Sequence, residues 1–395
     1  MASLRDLYFR HMGLPSATPL AIEVERAEGI YFIDTSGKKY VDLVSGVAVS
    51  NVGHRHPKVI EAIHRQLEKY MHLMVYGEYI QSPQVLLATR LGEQLGPGLD
   101  AVYFVNSGSE AIEGALKLAR RHTARSEVVS FRNAYHGGTA GALSILGHER
   151  LKYAFRPLVP DVRILEFNDT AMLDQITDRT ACVVIEIIQA EAGIILPEKS
   201  FLHGVRERCD ATGALLVIDD IQMGFARTGK LFSYQHYNIE PDILCLAKGM
   251  GGGMPIGAFI SSREIMDDLK HDPALGHITT FGGHPVSCAA ALASLNIILE
   301  DKLADAAMMH GRAFVDALEG HPAIKEIRHK GLMLGVELHD AASAQRMIDI
   351  MPEEGLVSDR FLFRPSAFRI APPLVITDSQ REEVTQKIIK CLDKL

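Results

Sequence analysis

Apolar positions in the middle of the chain fall into short runs separated by longer stretches of helical period. Ala101–Val105 and Glu127–Phe131 have strand length, and between them Glu110 to His122 carries Ile112, Ala115, Leu116 and Ala119 at helical spacing. Ala181–Ile188 and Gly213–Asp220 are apolar, β-branched-rich runs with a helix expected over Leu202–Ala211, and Ile243–Ala247 is again strand-like. Strands that alternate with helices imply a mostly parallel sheet, and near-continuous apolar strands suit one covered on both faces. The ends read differently. Short strand signals sit at Gly29–Phe32 and Tyr40–Leu43, and after a helical run at Ala289–Leu299 come strand signals at Ile324–Arg328, Leu332–Leu338 and Phe368–Ile370 and a closing helix at Ser379–Leu395. The expected organisation is a large α/β domain over 51–285, a small α+β domain over 286–395, and an N-terminal segment, 1–50, that joins the small domain.

Length and composition fit this picture. A chain of 395 residues exceeds the usual size of one core, and its 47% hydrophobic and 23% charged content is that of an ordinary globular protein. A net charge of −8, with no dense Lys/Arg run, argues against nucleic acid or an anionic membrane as the main partner. The five cysteines are scattered and form no CxxC pair, so neither a zinc site nor a disulfide framework is indicated. The N-terminus lacks the apolar core of a secretory signal, and no stretch reaches the roughly 18 consecutive apolar residues of a membrane span. A cytoplasmic location is expected.

Ligands of open parallel sheets sit beyond the carboxyl ends of the strands, so the chemistry is sought there. The first strand runs into Asn106-Ser107-Gly108-Ser109-Glu110-Ala111, where two hydroxyls, a glycine and a helix N-terminus can cradle a phosphate. The next ends in Asn133-Ala134-Tyr135-His136-Gly137-Gly138, which offers an aromatic ring to stack on a flat cofactor. A later strand runs into Asp219-Asp220; a carboxylate at a buried strand mouth can pair with a cationic ring nitrogen and keep it protonated. Ile243–Ala247 then ends on Lys248, whose amine becomes nucleophilic when burial lowers its pKa. The glycines after it do not follow the dinucleotide pattern, since Met254 occupies the last position. Each feature alone is commonplace. Phosphate cradle, stacking ring, ring-nitrogen carboxylate and lysine, in that order at successive strand ends, together are what pyridoxal 5′-phosphate (PLP) requires.

These residues resemble the class III aminotransferases, the ornithine/acetylornithine/4-aminobutyrate group. Gly46-Val47-Ala48-Val49 through Gly53-His54-Arg55-His56-Pro57 is similar to the family's N-terminal signature, and Val217 to Gly229 resembles its D-E-V-Q-x-G-x-G-R-T-G segment. Thr279-Thr280-Phe281-Gly282-Gly283-His284-Pro285 resembles T-F-G-G-N-P, and Phe368-Arg369-Ile370-Ala371-Pro372-Pro373-Leu374 resembles R-x-x-P-P-L. The resemblance implies PLP fold type I: a large domain with a mostly parallel seven-stranded sheet, plus a small α+β domain built from both termini. It further implies Lys248 holding PLP as the internal aldimine, Asp219 on the pyridinium nitrogen and Gln222 on the ring hydroxyl. Ser107, Gly108 and Ser109 would bind the phosphate, Tyr135 would stack on the ring, and His136 and Glu186 would complete the cofactor site. Thr280 would reach the phosphate of a neighbouring subunit's cofactor, in a homodimer with active sites at the interface; pairing of dimers into tetramers is left open. Glu191 matches a gate glutamate that masks an arginine, here Arg369, with Arg364 as a competing candidate.

The implied reaction is ping-pong transamination of an ω-amino donor with a 2-oxo acid, 2-oxoglutarate being the expected acceptor. Asp220 stands where the family usually has Glu, and Ile187 where it has Pro. Gly138 departs more seriously, because the acetylornithine, ornithine and 4-aminobutyrate enzymes usually carry there an arginine that clamps the donor carboxylate. A β-amino acid, lysine or polyamine donor is therefore an alternative, as is racemase or aminomutase chemistry on the same scaffold.

Overall fold

The computed structural model describes residues 2–395. Near the N-terminus lie β1 (Val24–Glu28), β2 (Tyr31–Asp34) and β3 (Lys39–Asp42). The middle holds β4 (Ala101–Val105), β5 (Glu127–Phe131), β6 (Val162–Leu165), β7 (Thr180–Ile185), β8 (Leu215–Asp219), β9 (Ile243–Leu246) and β10 (Gly257–Ser261). Toward the C-terminus follow β11 (Ile324–Lys330), β12 (Met333–Leu338), β13 (Leu356–Val357), β14 (Arg360–Phe361) and β15 (Arg364–Ile370).

The central sheet has seven strands in the order β4-β10-β9-β8-β7-β5-β6. All neighbours pair in parallel except at β10, which runs antiparallel to both β4 and β9. β7 to β10 are buried along their whole length, as their unbroken apolar character requires of a sheet with both faces covered. On one face lies the helix Gly108–Thr123, which turns Ala111, Ile112, Ala115, Leu116, Leu118 and Ala119 inward. It packs so closely that a side chain on Gly114 would meet the Phe259 ring at 2.3 Å.

Two four-stranded sheets flank the first. β1-β2-β3 is completed by β13, whose Leu356 pairs in parallel with Val41, so one sheet joins the two ends of the chain. The antiparallel sheet β11-β12-β15-β14 holds the gate candidate Arg369 on β15. The helix Pro285–Glu300 packs against Pro57–Leu67 and Ser82–Gly92. No helix among the described residues is long and apolar enough to cross a membrane.

The strands and helices anticipated in the sequence appear with ends shifted by a few residues. Within the central sheet β6 and β10 have no counterpart in that reading, and neither do the short β13 and β14 or the helices Pro57–Leu67 and Ser82–Gly92. β10 starts in a glycine-rich stretch, where strand propensity is low, and a side chain at Gly257 would lie 2.3 Å from the Ser107 carbonyl oxygen.

Candidate active site

The carboxyl ends of β4, β5, β7, β8 and β9 open into one cleft of about 690 Å³. Lining it are Ser107, Gly108, Ser109, Tyr135, His136, Glu186, Glu191, Asp219, Gln222 and Lys248, drawn from segments far apart in the chain. Of the residues singled out in the sequence, Arg369 joins them through contacts with Glu191 and Gln222. Thr280 does not: it is exposed and outside the cleft lining, on a segment tied to the β4 end by Asn106 Nδ2 donating to Thr279 Oγ1 at 3.0 Å.

Ser107 caps the helix Gly108–Thr123, its Oγ accepting from the Glu110 N–H at 3.2 Å. The backbone there is tightly enclosed. A side chain on Gly108 would press on Ile221 at 3.0 Å, and one on Gly137, which has φ +131°, would lie 2.1 Å from Ser109 Oγ. Ser109 Oγ also accepts from the Gly138 N–H at 3.3 Å, closing a pocket of N–H groups and hydroxyls at a helix N-terminus.

Asp219, at the end of β8, is oriented from two sides. Its Oδ1 accepts from the Ile221 N–H at 3.1 Å and its Oδ2 lies 2.7 Å from His136 Nδ1, both side chains being almost wholly buried. Glu186 supports the same wall: its two oxygens accept from the Tyr135 N–H at 2.9 Å and the Ala190 N–H at 3.0 Å. Burial pushes its carboxyl up to about 7, against the pull of His136.

Lys248 follows β9 with φ +47°, a left-handed conformation that a lysine adopts at a cost. Desolvation pulls its ammonium pKa down, opposed by Glu191, which favours the nucleophilic neutral amine. Gln222, with its amide oxygen facing inward, accepts from Lys248 Nζ at 3.1 Å and from Arg369 Nη1 at 3.2 Å.

Arg369 is fully enclosed and pairs with Glu191, Nη2 to Oε1, at 2.8 Å. Burial would raise the Glu191 pKa, but Arg369 outweighs it and holds the carboxyl below its usual range. Arg364 pairs with Glu337 at 2.8 Å, and it is Arg369 that Glu191 pairs with. Two charged cleft residues escaped the sequence reading: Asp359, whose Oδ1 lies 3.0 Å from Arg369 Nε, and its neighbour Arg360. Neither carries a local signal, since both precede β15 in an irregular, weakly patterned stretch. At Gly138 a side chain would meet nothing within 4 Å, so the arginine expected there is missing without being sterically excluded.

A lysine amine of lowered pKa and a buried, oriented carboxylate share this cleft with a glycine-lined helix N-terminus. Together with the central sheet they define a PLP-dependent transferase. The Aminotransferase class-III pattern matches residues 13–392. The acetylornithine aminotransferase of Archaeoglobus fulgidus is 38% identical over 374 residues, covering 94% of this chain and 96% of its own. An ornithine aminotransferase structure from Toxoplasma gondii superposes with a TM-score of 0.91 at 31% identity, covering 98% of this chain and 93% of that one. A second structure of that enzyme, crystallised with oxidized glutathione and having partial PLP occupancy at its active site, gives 0.91 at 31% identity, with coverage of 99% and 94%. The chain belongs to the class III aminotransferases, with PLP as cofactor and the fold type I architecture. It acts on a small-molecule amino donor and a 2-oxo acid.

Proposed function

We propose that the enzyme moves the terminal amine of an acetylornithine-like ω-amino donor to 2-oxoglutarate. The observation that carries this reading is the Glu191–Arg369 pair at 2.8 Å in the cleft that holds Lys248. A donor that presents its ω-amine has no α-carboxylate at the reacting end, whereas 2-oxoglutarate does. An arginine masked by a glutamate for one partner and bared for the other serves both.

PLP, when bound, supplies an aldehyde that takes up the amine and a protonated ring that withdraws electrons. The residues of the chain do the rest. Ser107, Gly108 and Ser109 receive the phosphate, and Tyr135 flanks the ring. Asp219, fixed by His136 and the Ile221 N–H, keeps the ring nitrogen protonated. Glu186 braces the Tyr135 backbone, and Gln222 holds Lys248 Nζ and would accept from or donate to the ring hydroxyl. Lys248 anchors the cofactor; once released, its neutral amine takes the proton from the amine-bearing carbon of the donor and later returns one to the acceptor. Lys248→Ala should abolish turnover and the near-ultraviolet and visible absorbance of the lysine–cofactor adduct; retained activity would refute the assignment.

Two copies of the chain complete the site in this reading. Exposed apolar Tyr76, Tyr79, Leu275 and Ile278 line a cavity of about 620 Å³, and Met71, Leu73, Ile80 and Phe281 on the same two segments are exposed as well. Contiguous exposure of this kind marks an association surface. Thr280, between the cavity residues Thr279 and Gly282, would serve the partner's cofactor phosphate. Five buried free thiols support a cytoplasmic setting.

A second reading follows from Gly138. With no arginine to clamp a donor carboxylate, lysine, β-amino acids or a diamine compete with acetylornithine as donor. Initial rates with acetylornithine, ornithine, 4-aminobutyrate, lysine, β-alanine and putrescine, against 2-oxoglutarate and pyruvate, decide between them. Turnover without any amino acceptor would instead indicate a racemase or aminomutase.

A further inference from the structure

Arg369 has more partners than a gate with a single mask requires. Its guanidinium carbon lies 4.8 Å from the centroid of the Phe361 ring, so one face is covered. Each of its three nitrogens meets a different side chain: Nη2 bonds Glu191 at 2.8 Å, Nη1 bonds Gln222 at 3.2 Å, and Nε lies 3.0 Å from Asp359 Oδ1 as an ion pair out of line for a hydrogen bond. A single positive charge is thus flanked by two carboxylates.

The two acids are held differently. The segment bearing Asp359 is stitched to the strand bearing Arg369. The Arg369 N–H donates to the Asp359 carbonyl at 3.0 Å, Ser358 Oγ donates to the Arg369 carbonyl at 2.5 Å, and Arg360 pairs with Phe368 across β14 and β15. Asp359 therefore travels with Arg369. Glu191 belongs to the turn after β7, on another sheet, and its carboxylate is otherwise held by one N–H, that of Leu362 at 3.2 Å.

We propose that Asp359 is a positioning residue for the acceptor: it stays on Nε when Glu191 moves aside, leaving Nη1 and Nη2 as the fork that receives a substrate carboxylate. A guanidinium binds a carboxylate in bidentate fashion only if two of its N–H groups are presented in one plane to the same side. Untethered at Nε, Arg369 would turn and lose that presentation. The inference rests on the reading of Arg369 as the acceptor's carboxylate site.

The test uses the PLP-loaded enzyme and glutarate, an unreactive dicarboxylate, with binding measured by calorimetry. Asp359→Ala should weaken glutarate binding about tenfold or more, the loss expected for a charge-assisted contact. It should raise KM for 2-oxoglutarate by a similar factor while kcat stays within about threefold, a split expected when binding and not chemistry is disturbed. The single-turnover rate of the donor half-reaction should stay within about twofold. Asp359→Asn, which keeps the shape and removes the charge that faces Nε, should recover only part of the glutarate affinity; unchanged cofactor absorbance and melting temperature in both variants establish that they fold. Unaltered glutarate binding in Asp359→Ala overturns the anchor, as do equal losses in both half-reactions. Tighter binding overturns it too, because Asp359 would then be a second mask. Failure of the unsubstituted enzyme to bind glutarate sinks the dicarboxylate reading together with the anchor, and so is distinct from failure of the anchor alone.

Discussion

Asp220 is wholly buried behind the cleft, and its two oxygens receive the N–H and the hydroxyl of Ser233. No cation is near enough to compensate the charge. Burial, opposed by the Ser233 bonds, pushes its carboxyl from an ordinary 3.8 up to about 7. Between those limits the folded chain holds a proton that the unfolded chain has released. The native state binds more protons there, so stability falls as pH rises through the window and levels off above about 7. At 1.36 kcal/mol for each tenfold change in proton affinity, the complete effect is on the order of 4 kcal/mol, of which about 3 kcal/mol falls between pH 5 and pH 8. Asparagine removes the charge and keeps both bonds: Oδ1 can accept the Ser233 N–H while Nδ2 donates to Ser233 Oγ, which as a hydroxyl can also accept. Asp220→Asn should therefore raise the melting temperature of the PLP-saturated enzyme by several degrees at pH 8 and by clearly less at pH 5. Differential scanning fluorimetry of both proteins across this range measures the gap. A gap that does not widen with pH, or a variant that melts lower at pH 8, would refute the claim that Asp220 carries an uncompensated charge.

Other expectations address the substrate and the assembly. At Gly138 the backbone is not left-handed and a side chain meets nothing within 4 Å, so Gly138→Arg should fold normally. If the new guanidinium reaches the donor carboxylate, a charge-assisted contact of about 1.5–3 kcal/mol less about 1–2 kcal/mol of side-chain entropy leaves roughly a fivefold lower KM for acetylornithine. Putrescine, which has no carboxylate, should be unaffected, and an equal change for both donors would count against the clamp. Ile80 is 96% exposed within the apolar flank, so Ile80→Asp should shift the protein to a monomer in light scattering and lower its activity on dilution; an unchanged mass would show that Ile80 is not at a subunit interface.

The strand-end part of the cleft was legible in the sequence because it is built locally. Each strand end reads into its own turn: Ser107 to Ser109 after β4, Tyr135 and His136 after β5, Asp219 after β8, Lys248 after β9. Residue type and position beside an apolar run carry the signal, and the sheet brings the ends together whatever the details of packing. The same logic explains why β10 was not foreseen. Its place between β4 and β9 is a matter of pairing across distant segments, and its first residue is a glycine because the Ser107 carbonyl leaves no room for more.

The part that faces the substrate is built from contacts that no local pattern encodes. Glu191 and Arg369 are 178 residues apart, the first in the turn after β7 of the central sheet and the second on β15 of another. The choice between Arg364 and Arg369 was open in the sequence, and alternation along β15 does not settle which of them turns to the cleft, because the pairing with β14 shifts register between Arg364 and Phe368. Which one does so depends on where β15 sits: Glu337 on the adjoining β12 takes Arg364, and the turn after β7 meets Arg369. Asp359 enters only because the short β14 folds back on β15. Reaction class and donor identity therefore have different physical origins. The class follows from residues at the strand ends, whereas substrate choice rests on side chains such as Arg369 and position 138 that lie apart from them. A chain that keeps every strand-end residue while exchanging an arginine for Gly138 can therefore keep its chemistry and change its substrate.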